Sequence, residues 1–114
     1  MLTKEQILSA QDIKTEAVDV PEWAGQVNVR VMSGAARDAF GASLRDAAGT
    51  LDMTKYRAGL LVRTIVDEAG VELFTLADLE ALNGKSGIAL QRVFEVADRL
   101  NAMSGNAVEE AAKN

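Results

Sequence analysis

The sequence contains no cysteine and no histidine. Without cysteine there is no disulfide, no thiol nucleophile and no thiolate metal site. Without histidine the commonest general base and the commonest transition-metal ligand are missing, which excludes zinc sites of the usual Cys/His type. No dense Asp/Glu ligand loop replaces them, so the reading is of a protein that is not an enzyme and holds no metal or cofactor. Aromatic residues are scarce, with one Trp, one Tyr and three Phe, and Leu, Val, Ile and Ala must fill the core. Long apolar runs are also missing. Leu60-Leu61-Val62, the longest in the middle of the chain, falls far below the roughly 20 residues of a membrane helix. Basic excess is absent too: 12 Lys and Arg face 17 Asp and Glu, for a net charge of -5. Neither a membrane nor a nucleic-acid partner is expected from that balance. The opening Met-Leu-Thr-Lys-Glu-Gln lacks the apolar core of a secretory signal, so a cytoplasmic location is expected.

What is present fits one domain over residues 1–114. The chain is 48% apolar, and a domain of this size buries roughly 65% of the surface its unfolded chain exposes. The only Pro (Pro21) and the only Trp (Trp23) stand together in Pro21-Glu22-Trp23-Ala24-Gly25. Val18 and Val20 alternate before this turn, and Val27, Val29 and Val31 alternate after it. Period-2 apolar spacing on both sides of a turn predicts a β-hairpin with a longer loop.

The rest reads as helix. Thr3 with Gln6 makes a capping box, and Leu2 with Ile7 a hydrophobic staple, for a short helix ending near Gln11. Ser33 caps a second helix with Ala36, Phe40 and Leu44 on one stripe, ending at Ala47-Ala48-Gly49. Thr54 to Glu68 reads as a central helix, apolar around most of its circumference, with Gly70 at its exit. Val71 to Phe74 is a short extended connector. Thr75 with Asp78 caps the next helix, which Asn83-Gly84 breaks. Ser86 or Gly87 starts a last long helix with Leu90, Val93, Phe94, Ala97 and Leu100 on one face. Ser104 is expected to cap a final turn with Met103 over Val108, and Glu109 to Asn114 to fray. The sum is an α+β fold, predominantly α-helical, with four to six helices and one early β-hairpin.

Few residues stand out chemically. Trp23 either folds back over the core edge or stays out as an anchor for a partner, since Trp is enriched at interface hot spots. The hairpin has an edge strand to lend. Asn28 and Arg30 are expected to face water or a partner. Trp23, Arg30 and Arg37 are the candidate partner-binding residues. Asp67-Glu68 is a paired carboxylate with no polar group converging on it, and reads as a solvated helix end. Asn83-Gly84-Lys85-Ser86-Gly87 contains Gly-Lys-Ser, but Leu79 stands where a phosphate-binding loop needs its first Gly, and no buried strand precedes it. Ser86 is read as a cap instead.

Several blocks in order resemble the tail assembly chaperones of long-tailed bacteriophages and prophages. They are the opening helix followed by Lys14-Thr15-Glu16; Pro21-Glu22-Trp23-Ala24-Gly25 with Val27, Val29 and Arg30; the Ser-capped helix with Arg37-Asp38-Ala39-Phe40; Val66-Asp67-Glu68 with Leu73-Phe74-Thr75; and Leu82 through Asn101. Together they span nearly the full length. Two positions depart from the family pattern: Ala24 stands where a second Gly is common, and Ala36 where Glu is common, which removes half of a capping box with Ser33.

The resemblance implies a non-catalytic protein of the host cytoplasm that acts in tail morphogenesis and is absent from the mature virion. It implies binding to the tape measure protein, kept soluble until tail tube protein polymerises around it. A longer form made by ribosomal frameshifting would recruit the tube subunits. Lys113-Asn114 is compatible with a slippery heptamer in the gene. Many copies touching along one long ligand, a homo-oligomer, would need only modest affinity each. The alternative is a structural tail or head-completion subunit retained in the virion.

Overall fold

The computed structural model describes residues 1–103. Its elements in chain order are α1 (Lys4–Ser9), β1 (Thr15–Val20), β2 (Gly25–Arg30), α2 (Gly34–Ser43), α3 (Tyr56–Thr64), β3 (Ile65–Val66), α4 (Leu79–Asn83) and α5 (Gly87–Leu100). This is the α+β class read from the sequence, mainly helical with an early hairpin. The strands form one antiparallel sheet in the order β1-β2-β3.

The hairpin register pairs Thr15 with Arg30, Val18 with Val27 and Val20 with Gly25. Residues directly opposite share a face, so the alternating valines all point to one side. Val18, Val20 and Val29 are buried there, and Val27 packs against the same cluster half-buried. Leu60 and Leu61 of α3 and Leu90, Val93 and Ala97 of α5 join the cluster, with Phe40 of α2 and Leu44 just past its end. Each fully buried Val or Leu contributes about 1.5–3 kcal/mol relative to exposure. Tyr56 stands edge-on between Phe40 and Phe94, at ring-centroid distances of 5.3 and 6.1 Å. The scarce aromatics thus join the second half of α2, the start of α3 and the middle of α5 into one contact set.

Helix starts follow the caps read from the sequence. Thr3 Oγ1 accepts from Gln6 N at 3.2 Å and Gln6 Oε1 accepts from Thr3 N at 2.9 Å, a complete capping box. Ser33 Oγ accepts from Ala36 N at 3.1 Å, and Ser86 Oγ from Ala89 N at 3.2 Å. Thr75 N donates to Asp78 Oδ2 at 2.8 Å, opening a 3-10 turn over Leu76–Asp78 that leads into α4.

Helix ends depart from expectation. α1 stops at Ser9, and α2 stops at Ser43. After α2 the Asp46 carboxylate takes over: its Oδ1 accepts from Ala48 N and Thr50 N, both at 2.9 Å. Such a side-chain turn competes directly with helix continuation.

The larger correction concerns the expected central helix, Thr54 to Glu68. Met53–Lys55 is a 3-10 turn, α3 covers only Tyr56–Thr64, and Ile65–Val66 leave it as β3. Ile65 pairs with Val29 and Val66 with Asn28, and both are buried. Two β-branched residues lose little as strand and pack well on a pleated surface. The free side of β2 was available to take them. Asp67 Oδ1 then accepts from Ala69 N at 2.8 Å and Val71 N at 3.0 Å, and Gly70 adopts φ 84°. Gly70 therefore serves a chain reversal and not a helix end, because a positive φ suits a residue without Cβ. In the connector after it, Glu72 bridges Val66 and Leu73 N donates to Ile65 O at 3.2 Å, with a bend at Leu73. The turn expected around Ser104 and the terminal segment lie outside the described residues.

Candidate partner-binding groove

The hairpin loop is built by its single proline. Pro21 starts a 3-10 turn, Pro21–Trp23, because its fixed φ suits the first helical position and its missing N–H is no loss there. Ala24 N closes the turn on Pro21 O at 3.0 Å, with Ala24 in the left-handed region at φ 55°. Glu22 clamps the loop onto α5: Arg92 Nε donates to Glu22 Oε1 at 2.9 Å and Arg92 Nη2 to Oε2 at 3.1 Å. The hydrogen bonds from Arg92 hold the Glu22 carboxyl below its ordinary pKa. A second ion pair between the hairpin and α5 joins Arg99 Nη2 to Glu16 Oε2 at 2.6 Å.

Held this way, Trp23 packs against the core while staying half-buried. It forms one wall of an open groove of about 500 Å³, lined also by Phe74, Asp78, Ala81, Leu82 and Lys85. Ala81 and Leu82 lie on α4, with Asp78 in the 3-10 turn before it and Lys85 just past its end. The floor is apolar and the rim carries one charge of each sign. Lys85 makes no ion pair among the described residues. Such a groove offers little for bond-making chemistry. It suits an apolar stripe with polar flanks, the form an amphipathic helix presents.

Arg30 and Arg37 lie elsewhere. Arg30 sits at the far end of β2 from the loop, and its guanidinium is used inside the chain. Nη2 meets Glu72 Oε1 at 2.7 Å and Nε donates to Arg63 O at 3.2 Å. The side chain is 19% exposed, and it ties the 67–72 reversal to the sheet. Arg37 Nη1 donates to Asn101 O at 2.7 Å. Asn101 is buried, accepting from Met32 N at 2.7 Å and donating to Arg30 O at 3.2 Å and Ala97 O at 3.0 Å. The two arginines thus meet around Asn101, and Trp23 stands apart from them.

The paired acids Asp67-Glu68 are exposed, as expected, but in a turn. Ser86 caps α5. Among the described residues no group of three or more carboxylates is placed to hold a metal ion, and no helix is long and apolar enough to cross a membrane. The groove itself was not anticipated from sequence. Leu79 and Leu82 face the core, while Leu76 is exposed in the 3-10 turn ahead of α4; the face with Ala81 carries no signal until Trp23 and Phe74 are brought beside it.

The profile of the phage tail assembly chaperone family matches residues 3–114. Among solved structures the fold is similar to that of the bacteriophage HK97 tail assembly chaperone, with a TM-score of 0.59 and 21% sequence identity, covering 84% of this chain and 90% of that one. At that identity the likeness speaks to the fold. No curated protein matches the sequence.

Proposed function

The chain belongs to the phage tail assembly chaperone family, and from that premise we propose that it binds the tape measure protein through the Trp23 groove and keeps it soluble during tail morphogenesis. The groove carries this reading: an apolar floor between Trp23, Phe74, Ala81 and Leu82, with Asp78 and Lys85 at the edge. A tape measure is a long helical chain, and its apolar stripes associate with one another unless covered. Many weakly binding copies along one such chain would cover it through multivalency. The action is contact without catalysis, in the host cytoplasm, and the protein leaves before the virion is complete. A longer frameshifted form would bring tail tube protein to the covered tape measure.

The test is co-expression with the tape measure protein of the same genome, followed by size-exclusion chromatography with light scattering. Soluble tape measure eluting with many copies of this chain is the expected result. Trp23→Ala is expected to keep its circular dichroism and lose the tape measure. A tape measure that stays insoluble while this protein runs alone would overturn the proposal. Finding the protein in purified particles would favour the alternative of a virion subunit.

A further inference from the structure

In the stretch Asn83-Gly84-Lys85-Ser86-Gly87, Asn83 ends α4 and Ser86 caps α5, but the Lys85 side chain has no task inside the chain. Its backbone N–H donates to Leu82 O at 3.1 Å, which fixes where the side chain leaves the main chain. The residue is exposed, and its ammonium group makes no ion pair among the described residues.

The other charges around the Trp23 groove are already engaged. Glu22, beside Trp23 in the loop, is paired with Arg92 at 2.9 Å. Asp78 Oδ2 accepts from Thr75 N at 2.8 Å and from Thr75 Oγ1 at 3.4 Å, so this carboxylate is held in the capping box. Glu80 of α4 lines a different hollow, with Ser43 and Lys55. Asp78 stands before α4 and Lys85 just past its end. The α4 wall therefore has a committed acid at one end and a cation free to pair at the other. Between them the groove is apolar.

We infer that Lys85 selects the partner: the helix that docks here carries an Asp or Glu at the end of its apolar stripe that reaches Lys85. The inference rests on the groove being the tape measure site and adds the chemistry of the segment it takes. An exposed charge pair contributes little to affinity, because water solvates both groups well when they are apart. A charge at a rim acts mainly on which partner and which register is accepted, since like charges brought together are penalised. The apolar floor holds the helix, and Lys85 sets its register.

The probes are three synthetic amphipathic helical peptides without tryptophan. They share one apolar stripe and differ only in the residue at one end of it: Glu, Gln or Lys. Binding to the full-length protein is read from the emission of Trp23, the only tryptophan, which moves to shorter wavelength as the groove is covered. The wild type is expected to bind the Glu peptide about two- to five-fold more tightly than the Gln peptide, and the Lys peptide more weakly than both. Lys85→Arg is expected to keep that order, Lys85→Ala to erase it and Lys85→Glu to invert it, each with the circular dichroism of the wild type. At about 1 M NaCl the preference is expected to vanish while the Gln peptide still binds. Equal binding of the three peptides by the wild type, or an order that Lys85→Glu leaves unchanged, would overturn the inference. With Trp23 emission still responding to the peptides, the groove reading would then stand alone. If no peptide moves the Trp23 emission, the groove reading itself falls and the inference falls with it.

Discussion

Ala24 sits at φ 55°, where a side chain crowds the following carbonyl at a cost of about 1–2 kcal/mol. A glycine at this position would remove that cost. Glycine also makes the unfolded chain more flexible, which returns about 0.4–1 kcal/mol. Ala24→Gly is thus expected to stabilise by a net of about 0.5 kcal/mol, measured as a higher urea midpoint at unchanged m-value. Asn101 is the opposite case. Nothing in the sequence marks it, yet its amide holds Met32 N, Arg30 O and Ala97 O together in a buried place. Asn101→Ala leaves the Met32 N–H without its partner, at a cost of about 1–3 kcal/mol. A similar urea series in which this variant loses under about 0.5 kcal/mol would refute that role.

At the scale of elements, the hairpin loop is held to α5 by the Glu22–Arg92 ion pair. The Glu22 pKa is lowered in the folded chain by Arg92. A depressed carboxylate stabilises above its unfolded value, about 4.3, and that contribution is lost as the pH falls through the lower folded value. Trp23 emission is therefore expected to change on acidification below about pH 4.3, before global unfolding, and Arg92→Ala is expected to abolish that separate step. Caps and hairpin were legible because they are local: Thr3, Ser33 and Ser86 each bond a backbone N–H three residues on. The end of α3 was not. Ile65 and Val66 continue an apolar pattern that serves helix or strand equally, and the choice falls to β2, 36 residues away at Val29.

For the whole molecule, a net charge of -5 and an apolar groove predict how binding responds to salt. Between about 0.1 and about 1 M NaCl the Debye length shrinks from about 10 to about 3 Å. Retention of the tape measure is expected to change little across that range, read as the copies of this chain per tape measure in light scattering. A steep loss would assign the contact to charge and remove the groove from its centre. The candidate site was only partly legible beforehand. Trp23 was visible as the lone large aromatic in a turn, whereas Arg30 and Arg37 looked equally free. Their internal hydrogen-bond acceptors, Arg63 O and Asn101 O, lie 33 and 64 residues away, so no local pattern foretold them.

The sequence by itself determined the class of molecule. It excluded thiol and histidine chemistry, placed the valine hairpin and the helix starts, and carried the block order of its family, because these depend on residue type and on neighbours a few positions apart. Only the tertiary structure decided where α3 stops, that a third strand forms, which arginines are used internally, and that Trp23, Phe74 and the Ala81 face of α4 meet to form a groove. Those outcomes depend on which distant segment lies alongside, and that is set by burying the apolar faces together.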